Sequence, residues 1–156
     1  MNIFYLDQDI EKCAQYHCDK HVVKMIIEYA QILSSVCRLK GFQIGYKLTH
    51  KNHPCVKWAM ESTGNWLYLQ KLAMALCREY THRYKKIHKT QMIIACLYLP
   101  YLPYKEFSQP IQAMPDKYKS NDSIQSYRQY YINEKVRFAK WTNRQIPDWF
   151  KVEMIA

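Results

Sequence analysis

The sequence predicts an all-α fold: a compact single-domain helical bundle with a short N-terminal arm and a proline-rich loop before the last helix. Three observations carry that prediction. Apolar residues recur at steps of three and four through two long stretches, the spacing of a helix with one buried face. Only three glycines interrupt a chain that is 49% hydrophobic and 15% aromatic, so a packed core is within reach. A length of 156 residues suits one domain, spanning 1–156, better than two.

Taken in order, residues 1–6 alternate weakly and predict a short strand or an extended arm, after which Asp7 or Asp9 caps a short helix reaching Tyr16. Asp19 is the expected cap of the next helix, whose core positions are Val22, Val23, Ile26, Ile27, Ala30, Leu33 and Cys37 and whose stop is Lys40 and Gly41. Residues 42–52 lack a period and predict a loop, ending where Asn52 or His53 caps a helix that has Pro54 in its first turn and runs to about Glu61. Ser62, Thr63, Gly64 and Asn65 mark a break or kink. Beyond it Trp66, Leu69, Leu72, Ala73, Leu76, Cys77 and Tyr80 share one helix face.

Residues 92–99 predict a short helix, and Pro100, Pro103, Pro110 and Pro115 then impose the longest irregular region, either a substrate lid or a surface wrap. Asp122 is the expected cap of a final helix carrying Tyr127, Tyr131, Phe138 and Trp141, with residues 147–150 as an extended tail.

Lys and Arg outnumber Asp and Glu by 23 to 13, a formal charge of +10. An excess of this size most often meets phosphates, so DNA or RNA is the expected partner; solubility alone is the alternative reading. The N-terminal residues lack the basic start and long apolar stretch of a secretory signal, and the expected compartment is reducing. Cys13, Cys37, Cys77 and Cys96 fall in apolar patterns and are expected to pack as small core residues. No apolar run approaches the roughly 20 residues that cross a bilayer, so no membrane association is expected.

Two constellations bear on chemistry. On the second helix His21, Lys24, Glu28 and Gln31 recur at steps of three and four, with Lys20 beside them, and form a polar stripe opposite the core positions. A carboxylate beside an imidazole and an ammonium is an acid-base set if the stripe faces a cleft, and a solvated face with an ordinary Lys24 to Glu28 pair if it does not. His53, Glu79 and His82 are the candidates to complete the pocket from other helices. The second constellation is basic: Arg78, Arg83, Lys85, Lys86 and Lys89 with His82, His88, Tyr80 and Tyr84 between them, and Arg128, Lys135, Arg137, Lys140 and Arg144 near the C-terminus. Such donors contact phosphates and the tyrosines stack on unpaired bases; a solvated helix face is the plainer reading. The groups His17, Cys18, His21 and His50, His53, Cys55 match no common zinc spacing, so neither metal nor cofactor is expected.

Six stretches together resemble a small helical family found chiefly in bacteriophages and large DNA viruses. They are residues 1–7, 18–25, 49–54, 79–84, 113–116 and 127–131. More distantly the chain resembles the pyrimidine-dimer DNA glycosylases, through the arm, Glu28 on the first long helix, Gly45-Tyr46, Asn52-His53-Pro54 and the aromatic residues after Pro147. That resemblance implies a helical domain that bends DNA, flips a base and attacks the sugar carbon through the chain's terminal amine. The sequence departs from that family at its start: those enzymes expose the amine of a small residue after removal of the initiator, whereas the large Asn2 is expected to leave Met1 in place. The functions expected are therefore excision of a DNA base, modification of a pyrimidine by a transferase using the same polar residues, or DNA binding without catalysis, in the cytoplasm of the cell or of a viral host.

Overall fold

The two stretches with the most regular apolar spacing become the two longest helices. In the computed structural model, which describes residues 1–150, α2 (Asp19–Leu39) has 21 residues and α4 (Thr63–Tyr84) has 22, and the two pack along one another. Their shared core holds Ile26, Leu33, Trp66, Leu69, Leu72 and Leu76, all fully buried. Each such side chain contributes roughly 1.5–3 kcal/mol by leaving water. Two expected core positions on α2 differ: Val23 is exposed and Ile27 only half-buried, while Met25, Tyr29 and Ile32 are buried in their place. The apolar face is thus turned by about one residue from its simplest reading.

Short helices surround this pair. The first, α1 (Ile10–Tyr16), lies on α4 and is capped by Asp9, whose carboxylate accepts from the Lys12 N–H. Against α2 and α4 packs α3 (Pro54–Met60), where His53 caps through its ring and Pro54 opens the first turn as expected. Further along the chain come α5 (Gln91–Cys96), a 3-10 turn at Asp116–Tyr118 and α6 (Ser123–Tyr130), which passes directly into a π-helical turn, Tyr131–Lys135. No strand occurs among the described residues.

Several expectations are corrected here. Asp19 does not cap α2; it is the first helical residue, and its carboxylate instead takes Arg83, the Thr142 hydroxyl and the Thr142 N–H. The helix expected over 92–99 ends at Cys96, which is exposed instead of packed. The last helix does not run on to Trp141: after the π turn the chain leaves helical geometry, and Trp141 reaches the core from an irregular segment, its indole N–H donating to the Tyr16 carbonyl at 2.9 Å. Residues 148–150 are helical, not an extended tail, and Phe150 is buried.

Residues 1–6 are extended yet pair with no strand, and Ile3, Phe4, Tyr5 and Leu6 are all buried. Side chains supply what a sheet would have given their backbone. The Phe4 N–H donates to the Tyr29 hydroxyl at 3.0 Å, the Leu6 N–H reaches Cys13 Sγ at 3.4 Å, and Arg128 donates to the Leu6 carbonyl at 2.8 Å. The arm therefore runs through the interior and brings Met1 to the surface of α2.

The proline-rich segment is a wrap pinned across the start of α4. Thr63 and Gly64 donate their N–H groups to the carbonyls of Pro103 and Lys105 at 3.0 and 3.1 Å, and Trp58 donates to the Gln109 carbonyl at 3.0 Å. Gly64 permits the crossing: a Cβ there would stand 2.3 Å from the Phe107 nitrogen. Close approach of two backbones, and not a helix break, is what this glycine is for.

Candidate active site

The polar stripe of α2 lies under the end of the arm. Met1, His21, Lys24, Glu28 and Lys135 line one small polar cavity of about 80 Å³, and Asn2, Phe4 and Met25 complete its wall. The cavity joins an amine, an imidazole, a carboxylate and two ammonium groups drawn from the arm, α2 and the π turn. The Asn2 side-chain oxygen is buried there without a hydrogen-bond partner, an uncommon state for a polar atom. Larger cavities occur elsewhere, one of about 510 Å³ beside Asp7, Gln109, Asp122 and Arg128, without an amine or imidazole.

Within the stripe the three residues differ. Lys24 is exposed, Glu28 half-buried and His21 only 6% exposed. The expectation of a solvated stripe thus fails for His21, because Phe4 covers it: the two rings stack at 4.3 Å with planes 16° apart. Its Nδ1 lies 2.5 Å from the Tyr131 hydroxyl. Burial, aided by His17, Lys135, Lys24 and Lys20, depresses its pKa to about 2, so the imidazole is neutral at working pH. The ordinary Lys24 to Glu28 ion pair does not form; the ion pairs among the described residues include neither Lys20, Lys24, Glu28 nor Lys135.

Lys20 stands at the edge of this group, its Nζ 4.6 Å from the centre of the Phe138 ring. His53 also belongs to the neighbourhood, since burial and then the nearby terminal amine and His50 lower its pKa. Glu79 and His82 do not line the cavity. Glu79 is buried between Arg83, at 2.8 Å, and Arg144, which grips both its oxygens at 2.9 Å. Burial alone would raise its pKa, but the hydrogen bonds and charges of Arg144 and Arg83 prevail and hold it below the usual carboxylate value. His82 is exposed and meets the Asn143 carbonyl at 3.1 Å.

The basic residues also divide. Lys85, Lys86 and Lys89 are exposed at and beyond the end of α4. Arg78 is exposed but paired with Glu11. Arg83, expected on the DNA-facing strip, is 2% exposed and fully engaged with Asp19, Glu79 and the Gln15 carbonyl, so it is a structural residue unavailable to a ligand. Arg144 and Arg128 are likewise committed, Arg128 to Leu6, Asp7 and the faces of Tyr16 and Trp149. Lys135 alone of these C-terminal residues reaches the cavity.

At the end of the buried arm, Met1 thus lines one cavity with Glu28 of the first long helix. The model of the family described as pyrimidine dimer DNA glycosylase matches residues 1–92. The chain belongs to that family. No curated protein and no solved structure matches it. The family match contains Met1, Lys20, His21, Lys24, Glu28 and His53, whereas Tyr131 and Lys135 lie beyond it. Sequence reasoning placed Lys135 on a phosphate track and Tyr131 in the core, and assigned Phe4 no part. The single available signal was the Tyr127 to Tyr131 stretch, whose density of aromatic residues marks packing as readily as a site.

Proposed function

We propose that this glycosylase-family protein excises damaged pyrimidines from DNA and cuts the abasic sugar, with the terminal amine of Met1 as nucleophile and Glu28 as the proton acceptor. The observation that carries the reading is the cavity in which Met1, Glu28, His21, Lys24 and Lys135 converge. The amine nitrogen forms a bond to the sugar C1′ as the glycosidic bond breaks, and the pyrimidine leaves with the bonding pair and takes up a proton. Opening of the sugar ring, with a proton delivered to its ring oxygen, gives an imine between Met1 and C1′. Glu28 then removes a C2′ proton, and the 3′ phosphate departs with the C3′–O pair. Attack at C1′ needs access that a stacked duplex denies, so in this reading a nucleotide at the lesion is turned out of the helix.

Lys24 and Lys135 carry positive charge at the mouth and have no carboxylate partner among the described residues, which suits phosphates on either side of the turned-out nucleotide. Lys85, Lys86 and Lys89 extend the positive surface. The experiment is borohydride trapping on a duplex with one pyrimidine dimer, followed by peptide mapping. A covalent adduct on the Met1 peptide, lost in Glu28→Gln, is the expected result. Strand scission without an adduct, or an adduct on Lys24 or Lys135, would overturn the assignment of the amine; neither scission nor adduct would overturn the excision reading.

A further inference from the structure

The imidazole of His21 is held more firmly than a merely buried ring requires. Phe4 stacks on one face at 4.3 Å, and Phe138 and Tyr131 meet it edge-on at 5.9 and 5.2 Å. The Tyr131 hydroxyl accepts the Cys18 N–H at 3.2 Å and has one proton to give. Two acceptors are in range, His21 Nδ1 at 2.5 Å and Cys18 Sγ at 3.7 Å. An O–H donor at 2.5 Å from a ring nitrogen outcompetes a weak sulfur acceptor more than an ångström farther off. With Nδ1 as the acceptor, the ring proton of the neutral imidazole is left on Nε2, which has no protein partner among the described residues, while His21 lines the cavity. Three ammonium groups, those of Lys20, Lys24 and Lys135, crowd the same imidazole with no carboxylate within ion-pair distance.

We infer that Tyr131 locks His21 in the Nε2–H form, making it a fixed neutral donor to a phosphate oxygen of the DNA backbone beside the turned-out nucleotide, and not a base. The step rests on the excision reading above for the identity of the DNA strand, but its geometry is independent of the amine. A nitrogen whose lone pair is occupied by Tyr131 has nothing with which to take a proton, and the opposite nitrogen already carries one. A neutral donor surrounded by unpaired cations fits an anion: the N–H fixes direction while the lysines supply charge. Depression of the His21 pKa to about 2, by burial first and then by His17, Lys135, Lys24 and Lys20, agrees with a ring that stays neutral. Cys18 and Tyr131, beside the ring, carry raised pKa values through burial and are neutral as well, while Glu28 and Met1 share the cavity with it. The π turn is the device that makes this possible: it widens the helix so that Tyr131 points into the core and Lys135 into the cavity from the same turn. Tyr131 is a positioning residue in this scheme, and it lies outside the stretch that defines the family.

Two measurements test it. Long-range nitrogen–proton correlation spectra of the labelled protein are expected to show a protonated Nε2 and an unprotonated Nδ1 for His21, unchanged between about pH 5 and pH 8, and a mixture of tautomers in Tyr131→Phe. An Nδ1–H form, or a ring that titrates near its ordinary value, overturns the inference. For the ligand, dimer-containing duplexes are prepared with one neutral methylphosphonate in place of a phosphate flanking the lesion. Wild-type affinity should fall about 10-fold at one such position, as for loss of a charge-assisted hydrogen bond, and His21→Phe should be insensitive to that same replacement. His21→Gln, which keeps an N–H, should restore part of the sensitivity. If no methylphosphonate position distinguishes wild type from His21→Phe, or if inorganic phosphate alone perturbs the His21 signals while backbone replacement does nothing, the backbone assignment is wrong. Borohydride trapping on the same duplexes separates the two proposals: an adduct with the wrong tautomer sinks only this one, and the right tautomer with no adduct sinks only the excision reading.

Discussion

Mild acid should destabilise the protein well before its carboxylates titrate. His17 is fully buried between the Cys13 carbonyl, 2.7 Å from Nδ1, and the Tyr29 hydroxyl, 2.9 Å from Nε2, and burial lowers its pKa to about 4. His21 is depressed further, to about 2. In the unfolded chain both return to about 6.5. A histidine whose folded pKa is depressed leaves the unfolded state binding more protons below 6.5, so stability is full above that value and falls as pH drops toward the folded pKa. Between about pH 7.5 and pH 5 the unfolded form gains roughly 1.5 pH units of proton binding free energy per imidazole, or about 2 kcal/mol each and about 4 kcal/mol for the pair. His53 and His88, lowered by burial first, add in the same direction. Glu79, held below the usual carboxylate value, keeps its contribution throughout this window and loses it only at lower pH. Urea unfolding followed by tryptophan fluorescence at the two pH values measures the difference, and His17→Gln, which cannot titrate, should remove about half of it. Equal stability at both pH values would refute the buried neutral histidines, and with them the locked form of His21.

Two further outcomes follow from the ion pairs and the exposed lysines. Glu79→Gln should lower stability by about 3 kcal/mol, because Arg83 then remains buried with Asp19 as its sole carboxylate; Arg144→Ala, a partly exposed partner, should lower it by about 1 kcal/mol. Thermal unfolding measures both, and unchanged midpoints would show that the cluster does not hold residues 141–144 on α4. Replacing Lys85, Lys86 and Lys89 with Gln should weaken DNA binding and flatten the salt dependence by roughly 0.9 per lost phosphate contact, read by fluorescence anisotropy across a salt series. An unchanged slope would remove these lysines from the DNA track.

What the sequence made legible was local. Asp9, His53, Ser62 and Asp122 cap the helices they precede, since a side chain that bonds the first turn acts over two or three residues. Asp19 has the same sequence signature and does otherwise, because Arg83, from the far end of α4, and Thr142 compete for its carboxylate. No local rule weighs partners 64 and 123 residues away. The same limit explains Arg83 itself: within its basic run it is indistinguishable from Lys85 and Lys86, and only the tertiary fold turns it inward while leaving them in water.

The candidate site shows where periodicity stops. His21 and Glu28 are seven residues apart, so a 3.6-residue helix necessarily sets them on one side, and the stripe could be read without a structure. Periodicity fixes the face but says nothing of what covers it. The covering elements are the arm, which has no helical or strand signature, and a π turn, in which one residue more per turn shifts Lys135 out of the register that an α-helix would have given it. Phe4 and Tyr131 look in sequence like ordinary core aromatics, and they are; burying His21 between them is what keeps its imidazole neutral. The chemistry of the site therefore resides as much in two apolar neighbours as in the polar stripe, and substituting either should alter the ionisation of His21 without removing a single charged group.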